Sequence, residues 1–194
     1  MQSKSMKAVL VMVLCVALAG TGCTAQWISV ALADLPVLTQ MALNIATLVA
    51  AVEGRPVSPM ESAAIQNISS SAYGGLNSLQ TLYNQYKANP DAGTLQKIQD
   101  VIAAIDQELP AELQAAHISD PALSARVTAG VNLILSTVQS FATLMPAAGA
   151  TQRLAGRGLP IPKSGELKVR WNQQVCPPTG NPAVDAALAT CALR

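Results

Sequence analysis

The chain has 194 residues and a formal net charge of +1, with 51% hydrophobic, 3% aromatic and 12% charged residues. That length suits one domain with a real core. The near-neutral balance offers no basic footprint for nucleic acid, and an Ala- and Leu-rich, aromatic-poor composition favours closely packed helices over a sheet.

The chain opens like an export signal. Lys4 and Lys7 precede an apolar run from Ala8 to Ala19, and Gly20-Thr21-Gly22-Cys23 follows. A basic start, a short apolar core and small residues at a cleavage site make up that layout. A run of about 12 residues is too short to cross a bilayer as a helix, which needs about 20. Residues 1–22 are therefore expected to direct the protein out of the cytoplasm and then be removed.

Small residues followed by Cys23 resemble the lipobox of bacterial lipoproteins. Gly22 and Cys23 fit that pattern, whereas Gly20 stands where the family usually carries an aliphatic residue. The resemblance covers only the first 23 residues. It implies that Cys23 receives a diacylglyceryl group, that the chain is cut just before it, and that the new amino terminus is acylated, as with palmitate. It also implies that residues 23–26 form a lipid-anchored linker. Ordinary cleavage after Ala19 or Ala25 is the alternative. Cysteine parity bears on the choice. Cys15 leaves with the signal, Cys176 and Cys191 are close in sequence, and Cys23 is left over. In an oxidising compartment Cys176 and Cys191 are expected to pair, closing a loop worth about 3 kcal/mol in the chain-entropy account.

Residues 27–145 read as four helices. In the first, Leu38, Met41, Ile45, Leu48 and Val52 recur at three-four spacing, and Gly54 and Pro56 end it. Ser58-Pro59-Met60-Glu61 opens the second with a cap, a first-turn proline and a capping box. Its stripe is Ile65, Ile68, Ala72, Gly75, Leu79, Leu82 and Tyr86, and Asn89-Pro90-Asp91 breaks it. Gly74-Gly75 in its middle marks either a close helix approach or a ligand slot. The third helix carries Leu95, Ile98, Ile102, Ile105 and Leu109. Pro110 removes a backbone donor there, which predicts a kink or a restart toward His117. Asp120-Pro121 starts the fourth, with Leu123, Val127, Val131, Ile134, Val138, Phe141 and Met145, and Pro146 stops it. Short connections between four such stripes predict an all-α fold, an antiparallel four-helix bundle, with near-parallel packing.

Residues 146–194 read as a basic tail, mostly irregular with short helices. Ser164 is a candidate cap for a helix carrying Leu167, Trp171 and Val175, although Leu167, Val169 and Trp171 also alternate as a strand would. Asn181-Pro182 begins a second short helix over 182–192. Nine acidic residues face four basic ones in 27–145, whereas six basic residues face two acidic ones in 146–194. Arg153, Arg157, Lys163, Lys168 and Arg170 are therefore candidate contacts to an anionic surface, either the chain's own acidic body or an envelope component.

Reactive constellations are scarce. His117 is the single histidine, so a multi-histidine metal site is impossible within one chain. Its place at a helix end suits the negative helix terminus. Nucleophile elbows, phosphate loops and Cys-x-x-Cys motifs are absent from the sequence. Asp106, Glu108 and Glu112 lack the regular oxygen spacing of a calcium loop and read as a solvated face. Tyr73, Tyr83 and Tyr86 at helical spacing read as core or rim residues.

The expectation is a non-enzymatic lipoprotein of the cell envelope without a cofactor. It would be held at a membrane by its lipid, facing the periplasm or the exterior, and would act as a binding or scaffold module for an envelope protein or anionic component. A small-ligand carrier and a helical membrane protein inserting residues 27–52 are the alternatives. Asp34, Pro36, Gln40 and Asn44 weigh against insertion, since a central Asp costs about 3 kcal/mol.

Overall fold

The computed structural model describes residues 24–52, 57–145 and 160–194. Among these residues the fold is all-helical. Four long helices come first: α1 (Thr24–Ala51), α2 (Pro59–Ala88), α3 (Ala92–Ala115) and α4 (Pro121–Leu144). Two short ones follow, α5 (Ser164–Gln174) and α6 (Pro182–Leu188).

The starts of α2, α3 and α4 follow from capping chemistry. A helix leaves its first backbone donors unsatisfied, and a short polar side chain just ahead of it supplies an acceptor. Ser58 Oγ accepts from Glu61 N at 3.1 Å, and Glu61 Oε2 accepts in return from Ser58 N at 3.2 Å. Asp91 Oδ1 accepts from Thr94 N, and Asp120 Oδ1 from Leu123 N, both at 2.8 Å. These bonds hold the Asp91 carboxyl, like that of Glu61, below its ordinary range: for Asp91 the Thr94 donors dominate, and for Glu61 the Ser119 backbone N–H does.

Two prolines lie inside long helices. Pro110 falls within α3 and Pro36 within α1. The expected restart at Pro110 does not divide the element, because α3 runs on to Ala115. The carbonyl four residues earlier simply lacks its usual intrahelical donor. The first helix also starts earlier than the stripe from Leu38 indicates. It extends back at least to Thr24, the first described residue, and includes residues expected to form a linker.

α1 packs against α2, α2 against α3, α3 against α4, and α4 against α1, so the contacts close into a ring. Leu48, Ile68, Ile102 and Ile134 lie inside it. The buried stripe of α2 rotates slightly from the predicted one: Leu76 and Tyr83 are buried, while Gly75, Leu82 and Tyr86 are half-buried. Burying each such aliphatic side chain contributes about 1.5–3 kcal/mol. α5 covers the edge between α1 and α4, and α6 leans on α1.

α3 approaches α2 closely at Gly75. A Cβ there would stand 2.7 Å from Ile105 Cγ1, whereas one at Gly74 meets nothing within 4 Å. The pair therefore marks a close helix approach, and Ile105 fills the space of the alternative ligand slot.

Candidate functional site

The most elaborately built feature is the seat of the tail on α1 and α4. α5 begins against Asp34 and lies along the α1–α4 edge. Ser164, expected as the cap, is the first helical residue instead, and Lys163 takes the cap position. The Ser164 hydroxyl turns away to α1, where it contacts the Ala33 carbonyl at 3.1 Å and also bonds Asp34 Oδ1. Asp34 is 2% exposed, and its Oδ2 has no partner. Burial pushes its carboxyl above the ordinary range, against the opposing pull of the Ser164 hydrogen bonds.

Seven residues on from Ser164, Trp171 enters a slot in the body. Its ring is fully buried. The slot exists because position 130 of α4 is glycine: a Cβ there would lie 3.1 Å from Trp171 Cζ3 and 3.4 Å from Ile45 Cγ1. The indole Nε1 donates to the Cys191 carbonyl at 2.9 Å. Asn44 Nδ2, on buried α1, donates to the same oxygen at 3.0 Å, and Gln40 steadies Asn44 through its Oδ1 at 2.8 Å. One carbonyl of the chain's last turn thus joins α1 and α5. Asn172 and Leu193 exchange two further bonds of 2.9 and 2.8 Å, and Arg126 Nη1 donates to Val175 O at 2.9 Å. Cys176 and Cys191 stand at disulfide distance, with Cα atoms 6.4 Å apart and both side chains buried.

The candidate charge contacts behave differently from one another. Cys23, Arg153 and Arg157 lie outside the described residues. Lys163 and Arg170 are exposed, and Lys168 donates to the Arg194 carbonyl at 2.6 Å. Among the described residues none of these three cations pairs with a carboxylate of the helical body. The described part of the tail docks through the buried side chains of Leu167 and Trp171 and through hydrogen bonds of Ser164 to Asp34 and of Asn44 and Arg126 to tail carbonyls.

The remaining candidates are dispersed. Asp106 faces Gln139 of α4, and burial raises its carboxyl. Glu112 accepts from Ser71 of α2 at 2.6 Å. The two carboxylates turn to different neighbours, and no cluster of three or more metal-ligating side chains occurs among the described residues. His117 is exposed just after α3 with φ 43°. Tyr73 is exposed, while Tyr83 is buried against Trp27 in an edge-on contact at 5.4 Å, with Tyr86 6.0 Å from the same indole. Burial raises the Tyr83 phenol.

Two open grooves lie among the described residues. One, of about 400 Å³, runs between α1, α5 and the last residues and is floored by Val37, Asn44 and Leu193. The other, of about 330 Å³, lies between α2 and α3 beside Asn67, Ser71 and Glu112. Sequence reasoning missed Gly130 and the roles of Asn44 and Ser164. The one available signal was polar: Asp34 and Asn44 interrupt an otherwise apolar α1.

No protein-family model, curated protein or solved structure matches this chain.

Proposed function

We propose that the protein is a non-enzymatic lipoprotein of the cell envelope, anchored through Cys23, whose helical body serves as a binding or scaffold module. The observation that carries the reading is the sequence from Lys4 to Cys23: a basic start, a short apolar core and a cysteine after small residues. The described helix α1 reaches back to Thr24. We take the four long helices as an antiparallel up-down bundle, because α2 and α3 are joined by three residues and α3 and α4 by five, and short connections join antiparallel neighbours. Cys176 and Cys191 are oxidised to a disulfide in that compartment. The partner is an envelope protein or an anionic envelope component, facing the periplasm or the exterior.

Metabolic lipid labelling and intact mass of wild type and Cys23→Ser test the anchor. Label and acyl mass are expected on wild type alone. Equal labelling of the two, or a mature terminus at Gln26, rejects the reading.

A helical membrane protein draws on a separate observation. Trp27–Ala51 and α4 are both long and apolar enough to cross a bilayer, with mean hydropathies of 1.5 and 1.3. About half of each is buried within the body, as in core helices of soluble proteins. Purified protein that stays dispersed only in detergent, with Cys23 unacylated, supports insertion instead.

A further inference from the structure

We infer that the start of α5 is held on α1 by a proton: Asp34 sits at the seat as a neutral carboxylic acid, and loss of that proton to solvent frees the first turns of α5 while the far end of the helix stays docked.

The proton count at the seat carries the inference. Ser164 Oγ lies 3.1 Å from the Ala33 carbonyl oxygen and is also bonded to Asp34 Oδ1. A hydroxyl has one proton to give, and a backbone carbonyl can only accept. Once Ser164 gives its proton to Ala33 O, the bond to Asp34 needs a second proton, and the carboxyl is the group that can supply it. A neutral Asp34 donates to Ser164 Oγ, which donates to Ala33 O, and the relay is complete. A charged Asp34 breaks it, because two acceptors then compete for one hydroxyl proton.

The surroundings also favour the neutral form. Asp34 is 2% exposed, and its Oδ2 has no partner. A buried charge without compensating bonds is costly, and such a group neutralises instead. α1 contains no other charged residue, and those of α2, Glu61 and Lys87, lie near its two ends. The one charged residue of α4, Arg126, donates to Val175 O at 2.9 Å. On α6, Asp185 accepts from Thr179 N at 2.6 Å and Gly180 N at 3.2 Å. On α5, Lys168 donates to the Arg194 carbonyl, and Arg170, like Lys163 ahead of the helix, is exposed. Burial, and after it the negative charge of Glu166 on α5, opposes ionisation of Asp34, while the Ser164 bonds pull the other way.

This clasp acts on one end of α5 only. Seven residues on, Trp171 Nε1 and Asn44 Nδ2 donate to the Cys191 carbonyl at 2.9 and 3.0 Å, and neither donor titrates. The docked carboxyl holds its proton more tightly than a freed one, whose pKa is about 3.9. Docking is therefore fully supported below that value, weakens as pH rises through the docked pKa, and stays weakened above it. Across that interval opening of the first turns should rise by up to about tenfold per pH unit.

The test follows the Asp34 carboxyl carbon of the purified protein by NMR through a pH titration. Hydrogen-exchange protection, corrected for the intrinsic rate at each pH, is read at the amides of Leu167, Lys168 and Val169. The amides of Val175 and Cys191, which donate to Trp171 O and Leu188 O at 2.8 and 2.9 Å, serve as references. Asp34 is expected to titrate above about 3.9, with protection at 167–169 falling over the same interval and the references unchanged. Asp34→Asn, whose amide can still donate to Ser164, should keep the low-pH protection throughout, and Glu166→Gln should retain the transition. An Asp34 midpoint at or below about 3.9 overturns the inference. So does equal loss of protection at the references, or a transition that survives Asp34→Asn or disappears in Glu166→Gln.

Discussion

Replacing Gly74 and Gly75 with alanine, one at a time, tests the packing of α2 on α3 with a built-in control. Both glycines lie in the interior of α2, so each substitution gains the same helix propensity, about 0.8–1 kcal/mol. A Cβ at Gly74 meets nothing within 4 Å, whereas one at Gly75 stands 2.7 Å from Cγ1 and 3.0 Å from Cδ1 of Ile105. Ile105 is 3% exposed. Its branched side chain is stiff at χ1 in a helix, so Cγ1 yields poorly and the two helices must part. Overpacking of this kind costs about 1–3 kcal/mol. Gly74→Ala should therefore stabilise by about 0.5–1 kcal/mol, and Gly75→Ala should fall between neutral and about 2 kcal/mol destabilised. Propensity cancels in the difference between the two, leaving about 1–3 kcal/mol. Urea unfolding followed by helical circular dichroism measures both. Adding Ile105→Ala to each variant completes a double-mutant cycle, and coupling above about 0.5 kcal/mol is expected with Gly75→Ala only. Equal stabilisation by both alanines, without coupling, would refute the close approach and restore a slot between α2 and α3.

Two further substitutions probe the seat of the tail. Burial raises the Asp34 carboxyl despite its Ser164 bonds, so the folded state holds the proton more tightly than the unfolded chain. Stability must then fall as pH rises from about 3.9 through the folded pKa, and stay reduced above it. Asp34→Asn is thus expected to be at least as stable as the parent near neutrality, with its advantage closing below about pH 3.9; thermal melts across that range check it, and a variant weakened only at neutral pH would mean that the start of α5 favours a charged carboxylate. Trp171→Ala empties a fully buried site and removes one of two donors to the Cys191 carbonyl, a loss of about 3–5 kcal/mol. Limited proteolysis should then cut after α4, whereas a loss below about 1 kcal/mol with the tail still protected would show that the ring does not anchor it.

The four long helices were legible from their apolar periods, and two of them also carry a start signal. Ser58-Pro59-Met60-Glu61 and Asp120-Pro121 mark starts that the backbone geometry reproduces, and the break read at Asn89-Pro90-Asp91 falls between α2 and α3. The early extent of α1 was hidden because the predicted stripe begins only at Leu38. The seat of the tail was not legible at all. A slot is made by the absence of a side chain at Gly130, and nothing local in the sequence of α4 tells which ring fills it. The partner, Trp171, lies 41 residues on, in α5. Charge asymmetry pointed toward tail docking, and the described contacts of the seat are apolar packing and hydrogen bonds. Exposed ion pairs contribute little, and the described cations of α5 do not reach the acidic residues of the body.

The polar residues of α1 connect the tail to the question of where this helix lives. Along an apolar helix, Asp34 and Asn44 look like defects in a membrane span. Within the body they are 2% and 6% exposed, and each holds a different point of the tail: Asp34 the start of α5 through Ser164, Asn44 the carbonyl of Cys191. Moving α1 into lipid would break both links and leave Asn44 and the Cys191 carbonyl short of a partner, at about 1–3 kcal/mol for each unsatisfied group. It would also strand Asp34 in hydrocarbon, at about 3 kcal/mol. Ile45 would lose Trp171 as well, because the ring packs between α1 and α4 only while both helices border the same slot. The tail therefore acts as a brace that ties α1 to the rest of the helical body, and its docking and the membrane insertion of α1 are mutually exclusive. On that reasoning the lipid proposed at Cys23 would be compatible with the brace, since such an anchor would let α1 remain in the core.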